Sequence, residues 1–85
     1  MPAPVTVFAT DWCPFCRNLL GALKRTDVDY EVVDVDDPQN REHSDWVASV
    51  NGGNRIVPTV RYSDGTHATN PPVDAVAAKY RELNS

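Results

Sequence analysis

The sequence predicts an α/β fold in which a four-stranded mixed sheet is flanked by three helices, in the order βαβ followed by ββα. Two observations carry this expectation. Short runs rich in β-branched residues alternate with helical apolar spacing through the first half of the chain. Beyond it, two short strands separated by a turn signal precede a last amphipathic helix.

Val5 to Ala9 is an unbroken apolar stretch apart from Thr6 and reads as a buried strand. Thr10-Asp11-Trp12 turns the chain into a helix, with Thr10 or Asp11 expected to cap it and Pro14 tolerated in its first turn. Phe15, Leu19 and Leu23 recur at helical spacing with Leu20 beside them, and Lys24-Arg25 are expected in the last turn. Tyr30 to Val35 is a second strand, interrupted by acids and stopped by Asp36-Asp37-Pro38. A second helix follows to Val50, with Trp46, Val47 and Val50 inward, and Asn51-Gly52-Gly53-Asn54 ends it. Arg55 to Tyr62 reads as a strand broken near its start by Pro58. Ser63-Asp64-Gly65-Thr66 turns it back into a short edge strand ending at Thr69. Asn70 as N-cap and Pro71 at the first helical position would open the last helix, lined inward by Val73, Val76, Ala77, Tyr80 and Leu83. Two strands joined through a helix should be parallel, and the hairpin adds antiparallel partners. The resulting topology is thioredoxin-like.

At 85 residues, one domain covering 1–85 is expected, and 41% hydrophobic with 24% charged residues is ordinary globular composition. No apolar run is long enough to span a bilayer, and Met1-Pro2-Ala3-Pro4 lacks the basic and apolar regions of a signal peptide, so a cytoplasmic monomer with no membrane partner is the expectation. The net charge of −4, with six acids between Asp27 and Asp37, argues against a nucleic-acid partner, which needs a clustered basic face. That acidic run reads as a solvated edge and loop, with electrostatic selection of partners as the alternative.

The two cysteines, Cys13 and Cys16, flank Pro14-Phe15 where a strand delivers the chain to a helix. The first N–H groups of a helix lack intrahelical partners and carry partial positive charge, so a thiol there ionises more readily, and the thiolate is the attacking species. Such a thiol is also a better leaving group, which suits a shuttle whose mixed disulfide must both form and break. The pair closes too small a loop to stabilise much, and structural disulfides are rare in a reducing compartment. Cys13, nearer the helix start and the solvent, is assigned as nucleophile, and Cys16, one turn on, as resolving thiol. Trp12 before the pair and Val57-Pro58 at the start of the hairpin complete a redox arrangement, while Arg17 reads as a surface residue that could add positive charge. A zinc site would need His43 and His67, which form no local pair, so no metal is expected.

Cys13-Pro14-Phe15-Cys16 is similar to the C-P-[YF]-C motif of glutaredoxins, and Val57-Pro58 looks like their cis-proline segment. More narrowly, Val50-Asn51-Gly52-Gly53-Asn54-Arg55 leading into Val57-Pro58-Thr59-Val60, then Asp64-Gly65 and Thr69-Asn70-Pro71, resembles the mycoredoxins, glutaredoxin-like proteins that use mycothiol in place of glutathione. The resemblance runs essentially end to end. It implies a thioredoxin fold, a cis peptide before Pro58, and reduction of mixed disulfides between client proteins and mycothiol. Cys13 would carry the mycothiol, and a second mycothiol would release it, with electrons coming from NADPH through mycothione reductase. Cys16 is dispensable in that monothiol cycle but can close a Cys13–Cys16 disulfide. No bound cofactor is implied.

Substrate-binding residues implied are Trp12, Pro14, Phe15, Arg55, Val57 and Pro58. The lysine before the motif and the Gly-Gly-x-[SD]-D segment that hold glutathione's carboxylates in glutaredoxins have no counterpart in Thr10-Asp11-Trp12 and Thr66-His67-Ala68-Thr69-Asn70. Thr69 and Asn70 instead offer hydroxyl and amide groups suited to the sugar–inositol part of mycothiol, or serve only as edge-strand and capping residues. Three other functions remain open. One is a dithiol electron donor fed by thioredoxin reductase, of the NrdH-redoxin type, although its Ser-Gly-Phe-Arg-Pro segment is absent. A glutathione-using glutaredoxin is the second. The third is an iron–sulfur carrier, disfavoured by Pro14 beside the first cysteine.

Overall fold

The computed structural model describes residues 3–84, so the first two residues of the Met1-Pro2-Ala3-Pro4 start lie outside the described residues. The elements run β1 (Val5–Ala9), α1 (Pro14–Leu23), β2 (Tyr30–Asp34), a 3-10 turn (Pro38–Asn40), α2 (Arg41–Val50), β3 (Thr59–Tyr62), β4 (His67–Thr69) and α3 (Val73–Leu83). The sheet order is β2-β1-β3-β4. β1 pairs parallel with β2 and antiparallel with β3, and β3 pairs antiparallel with β4. This is the thioredoxin-like arrangement expected.

β1 is central because every one of its residues is buried. Val5, Val7 and Ala9 face a core closed by Leu19 and Leu23 of α1 and Val76 of α3. Phe8 faces the other way, into a smaller core with Val35 and Val47 of α2. The period-two alternation of a strand thus splits one apolar run between two helix layers. β2 lies at a sheet edge, which is why Glu31 and Val32 remain exposed and why acids interrupt its pattern. Charged residues on an edge also discourage pairing with another chain.

Element boundaries depart from expectation here in three places. α1 stops at Leu23 with Lys24 as its cap, so Lys24-Arg25 lie beyond the last turn. α3 begins at Val73 after Pro72, not at an Asn70 cap. Asn70 instead takes a positive φ of 48°, and its N–H donates to the Pro58 carbonyl at 2.7 Å. That bond ties the end of β4 to the chain entering β3. β3 itself starts only at Thr59, because Arg55 to Pro58 has no strand partner.

The α2 stop behaves as read. Gly52 and Gly53 take φ values of 69° and 94°, and the Gly53 N–H closes on the Ala48 carbonyl at 2.8 Å, a Schellman-type end. Asn51 does more than stop the helix. Its Nδ2 donates to the Val47 carbonyl at 2.8 Å and to Thr59 Oγ1 at 3.2 Å, and its Oδ1 accepts the Thr69 hydroxyl at 2.6 Å. One side chain therefore joins α2, β3 and β4.

His43 is half-buried and His67 exposed, and each lies against an aromatic ring. The His43 ring lies 5.7 Å from Phe8 and the His67 ring 5.8 Å from Trp46, both on the α2 side of the sheet. The cysteines belong to the core on the opposite side.

Leu23 is fully buried at the end of α1. Leu23→Ala should lower unfolding free energy by about 2–5 kcal/mol, read as a shifted urea midpoint at unchanged slope.

Candidate active site

The first helix is capped by sulfur. Cys13 is the N-cap of α1, with extended backbone, and its Sγ accepts the Cys16 N–H at 3.2 Å. The expectation that Thr10 or Asp11 would supply the cap is therefore corrected. Thr10 Oγ1 is buried and makes no hydrogen bond among the described residues. Pro14 occupies the first helical position, where its missing N–H leaves no bond unmade.

Cys13 is 3% exposed and Cys16 fully buried, so the solvent access expected for Cys13 is narrow, although it is the more accessible of the two. Both are free thiols. The Cys13 thiol also points at the Val57 carbonyl, 3.7 Å away. Sheet order explains that meeting. Phe8 near the end of β1 pairs with Thr59 at the start of β3, so the segments running on from each strand at that end are neighbours. The Val57–Pro58 peptide is cis, as the resemblance implies.

The two sulfurs differ sharply in environment. Burial pushes the Cys16 thiol from 9.0 up to about 12, and the hydrogen bond with Cys13 raises it further within that shift, against a smaller lowering from the Thr10 backbone. Cys16 is therefore a neutral thiol at physiological pH. Its amide N–H, by contrast, is aimed at Cys13 Sγ and strengthens as negative charge develops there.

Around the pair, Trp12 and Phe15 stand out from the surface at 64% and 61% exposure. Large exposed aromatics beside a reactive thiol are a surface for a partner rather than for the core. Trp12 Nε1 donates to Asp36 Oδ2 at 2.8 Å. Arg55 forms an ion pair with Asp36 Oδ1 at 2.7 Å. Arg17 is exposed and donates to the Asp11 carbonyl at 3.1 Å. Thr69 spends its hydroxyl proton on Asn51, whereas the Asn70 side chain makes no hydrogen bond among the described residues.

A groove of about 240 Å³ opens beside the motif, lined by Phe15, Asn18, Leu19, Ala22, Asn70, Pro71, Pro72 and Val73. None of these residues is charged. The structure thus brings Trp12, Cys13, Pro14, Phe15, Cys16 and Val57-Pro58 together, sets Asn70 in the adjoining groove, and places Arg55 two residues before Val57 but turned to Asp36. Sequence reasoning missed Asn18, Asp36 and Asn51. Only Asn51 carried a signal, since it lies in the stretch that resembles mycoredoxins, but it reads there as a helix stop.

The Cys16 shift has a direct chemical consequence. In a Cys13→Ser variant the contributions of Cys13 are lost but burial, the largest cause, remains, so Cys16 stays above 9.0 and is ionised at pH 8 to well below the roughly one-tenth expected of a thiol at 9. Iodoacetamide should therefore label Cys16 slowly at pH 8, rising about ten-fold per pH unit above it. Stability owed to the neutral buried thiol is complete below about 9 and is lost as pH rises toward 12. Rapid labelling at pH 8, with the fold intact by circular dichroism, would contradict this assignment.

A glutaredoxin family model matches residues 5–68. Mycoredoxin 1 of Corynebacterium glutamicum is 60% identical over 79 residues, covering 93% of this chain and 95% of that protein. Among solved structures, the glutaredoxin from Archaeoglobus fulgidus aligns with a TM-score of 0.72 at 28% identity, over 89% of this chain and 84% of that one. Wheat glutaredoxin aligns at 0.65 and 26% identity, over 93% and 72%. No helix of the described residues is long and apolar enough to cross a membrane. With the sulfur-capped C-P-F-C pair facing Val57 and a family match spanning most of the chain, this protein belongs to the glutaredoxin family of thiol–disulfide oxidoreductases.

Proposed function

We propose that this protein reduces mixed disulfides between client proteins and mycothiol by a monothiol cycle in the cytoplasm. The 60% identity to Mycoredoxin 1 over nearly the whole chain carries the choice of thiol. The uncharged groove beside Phe15 supports it, because a carboxylate-bearing thiol would find no cation among its lining residues. Asn18 and Asn70 offer carboxamides there that make no hydrogen bond among the described residues, which suits hydroxyl-rich groups.

In the first step, the Cys13 thiolate attacks the mycothiol sulfur of the client disulfide. The old S–S bond breaks, a Cys13–mycothiol disulfide forms, and the client cysteine leaves as a thiolate and takes a proton from water. The Cys16 N–H holds Cys13 Sγ in place for attack and later stabilises it as the leaving group. A second mycothiol thiolate then attacks the bound mycothiol sulfur, freeing Cys13 and giving mycothiol disulfide, which mycothione reductase returns to thiol with NADPH. Burial, which disfavours the Cys16 thiolate with or without a free Cys13, slows interception of the Cys13 adduct and so favours the external thiol. The exposed Trp12 and Phe15 rings flank the approach of the client chain, and the Val57 backbone lines its other side.

In a coupled assay of NADPH consumption on a mycothiolated protein, turnover is expected with mycothiol plus mycothione reductase and not with thioredoxin reductase alone. Cys13→Ser should abolish it and Cys16→Ser should retain it. Dependence on thioredoxin reductase, lost in both variants, would make the protein a dithiol donor instead. An Asn18→Ala, Asn70→Ala double variant should raise KM for mycothiol about three- to ten-fold with little change in kcat, as expected when one or two hydrogen bonds to the bound thiol are lost. Full retention of both constants would remove the groove from the substrate site.

A further inference from the structure

We propose that Asp36 sets the charge selectivity of this site: it withdraws the Arg55 cation and so disfavours low-molecular-weight thiols that carry carboxylates. The inference rests on the mycothiol reading above and concerns the same site.

Asp36 follows β2, in the acidic run between Asp27 and Asp37, and nothing in the sequence separates it from its neighbours. The fold does separate it. One carboxylate oxygen accepts the Trp12 indole N–H at 2.8 Å, and the other pairs with Arg55 at 2.7 Å. Arg55 Nη1 donates further to the Val35 carbonyl at 3.4 Å. Trp12 immediately precedes Cys13, and Arg55 lies two residues before Val57, whose carbonyl faces Cys13 Sγ at 3.7 Å. A single carboxylate therefore links the two segments that enclose the reactive sulfur.

The Arg55 and Asp36 side chains are 42% and 37% exposed, so their pair adds little to stability. Its effect on an approaching ligand is larger. A guanidinium held against a carboxylate presents almost no net charge a few ångströms away, whereas an uncountered one presents a full unit charge. Glutathione carries two carboxylates, whereas mycothiol, an N-acetylcysteine joined through its carboxyl to a sugar–inositol, carries none. With Arg55 neutralised and the groove uncharged, discrimination against glutathione comes from charge withheld rather than from a clash.

Asp36→Asn keeps an oxygen acceptor for the Trp12 indole and removes the countercharge. Arg55→Gln does the opposite, leaving Asp36 uncompensated. The test is kcat/KM for glutathione and for mycothiol in wild type, Asp36→Asn, Arg55→Gln and the double variant, at about 50 mM and about 300 mM salt. Asp36→Asn should raise the glutathione-to-mycothiol ratio about three- to ten-fold at low salt, with the gain shrinking at high salt. Arg55→Gln should lower the ratio, and the double variant should return close to wild type. An unchanged ratio in Asp36→Asn, or a gain that survives in the double variant, would overturn the proposal. If Asp36→Asn folds poorly, the downward shift in Arg55→Gln carries the same test, and its absence overturns the proposal. Should wild type fail to use mycothiol at all, the reading above falls, while the glutathione constants across the four proteins still decide the role of Asp36.

Discussion

The hydrogen bond from the Cys16 amide to Cys13 Sγ, at 3.2 Å, is the interaction on which the site depends. An N-cap is normally an oxygen that satisfies one of the orphan donors at the start of a helix. Here a sulfur does so, and the same donor that begins α1 holds the atom that reacts. The helix start and the nucleophile cannot be separated. Any change that displaces the first turn displaces Cys13 as well.

The rest of the fold brings the second wall of the site to that sulfur. β1 is buried on both faces and sits between β2 and β3, so its end is fixed by packing into two cores. β3 runs antiparallel to it, which places the chain entering β3 beside the chain leaving β1. Val57 thereby faces Cys13, and Asn70, bonded to the Pro58 carbonyl, is carried to the same end. Asn51 locks β3, β4 and the end of α2 into this arrangement through three hydrogen bonds. Both cysteines sit in the same core, where burial keeps Cys16 protonated, while the helix-start amide is aimed at Cys13 Sγ, the slightly more accessible of the two.

Much of this was legible in the sequence. The three helices, β1 and β3 announce themselves through apolar spacing, β4 follows from the turn before it, and Gly52-Gly53 and Gly65 mark turns that need a left-handed backbone. Local chemistry misled at the ends. Thr10 and Asp11 have good capping side chains, but the chain does not enter the helix until Pro14, so the cap falls on Cys13. Asn70 before two prolines looks like a cap, yet its N–H is taken by Pro58 across the sheet end and the helix waits for Val73. The polar partnerships were illegible for a general reason. Asp36 meets Trp12 and Arg55 over separations of 24 and 19 residues, and no local pattern encodes such a meeting.

Single-turnover trapping tests the central claim most directly. Cys16→Ser protein, mixed with a mycothiolated client and quenched with acid, should carry one mycothiol as a disulfide, located to Cys13 by peptide mass, with the client released as free thiol. An adduct elsewhere, or a client protein held on Cys13 with mycothiol released, would contradict attack by Cys13 on the mycothiol sulfur and with it the account given of this site.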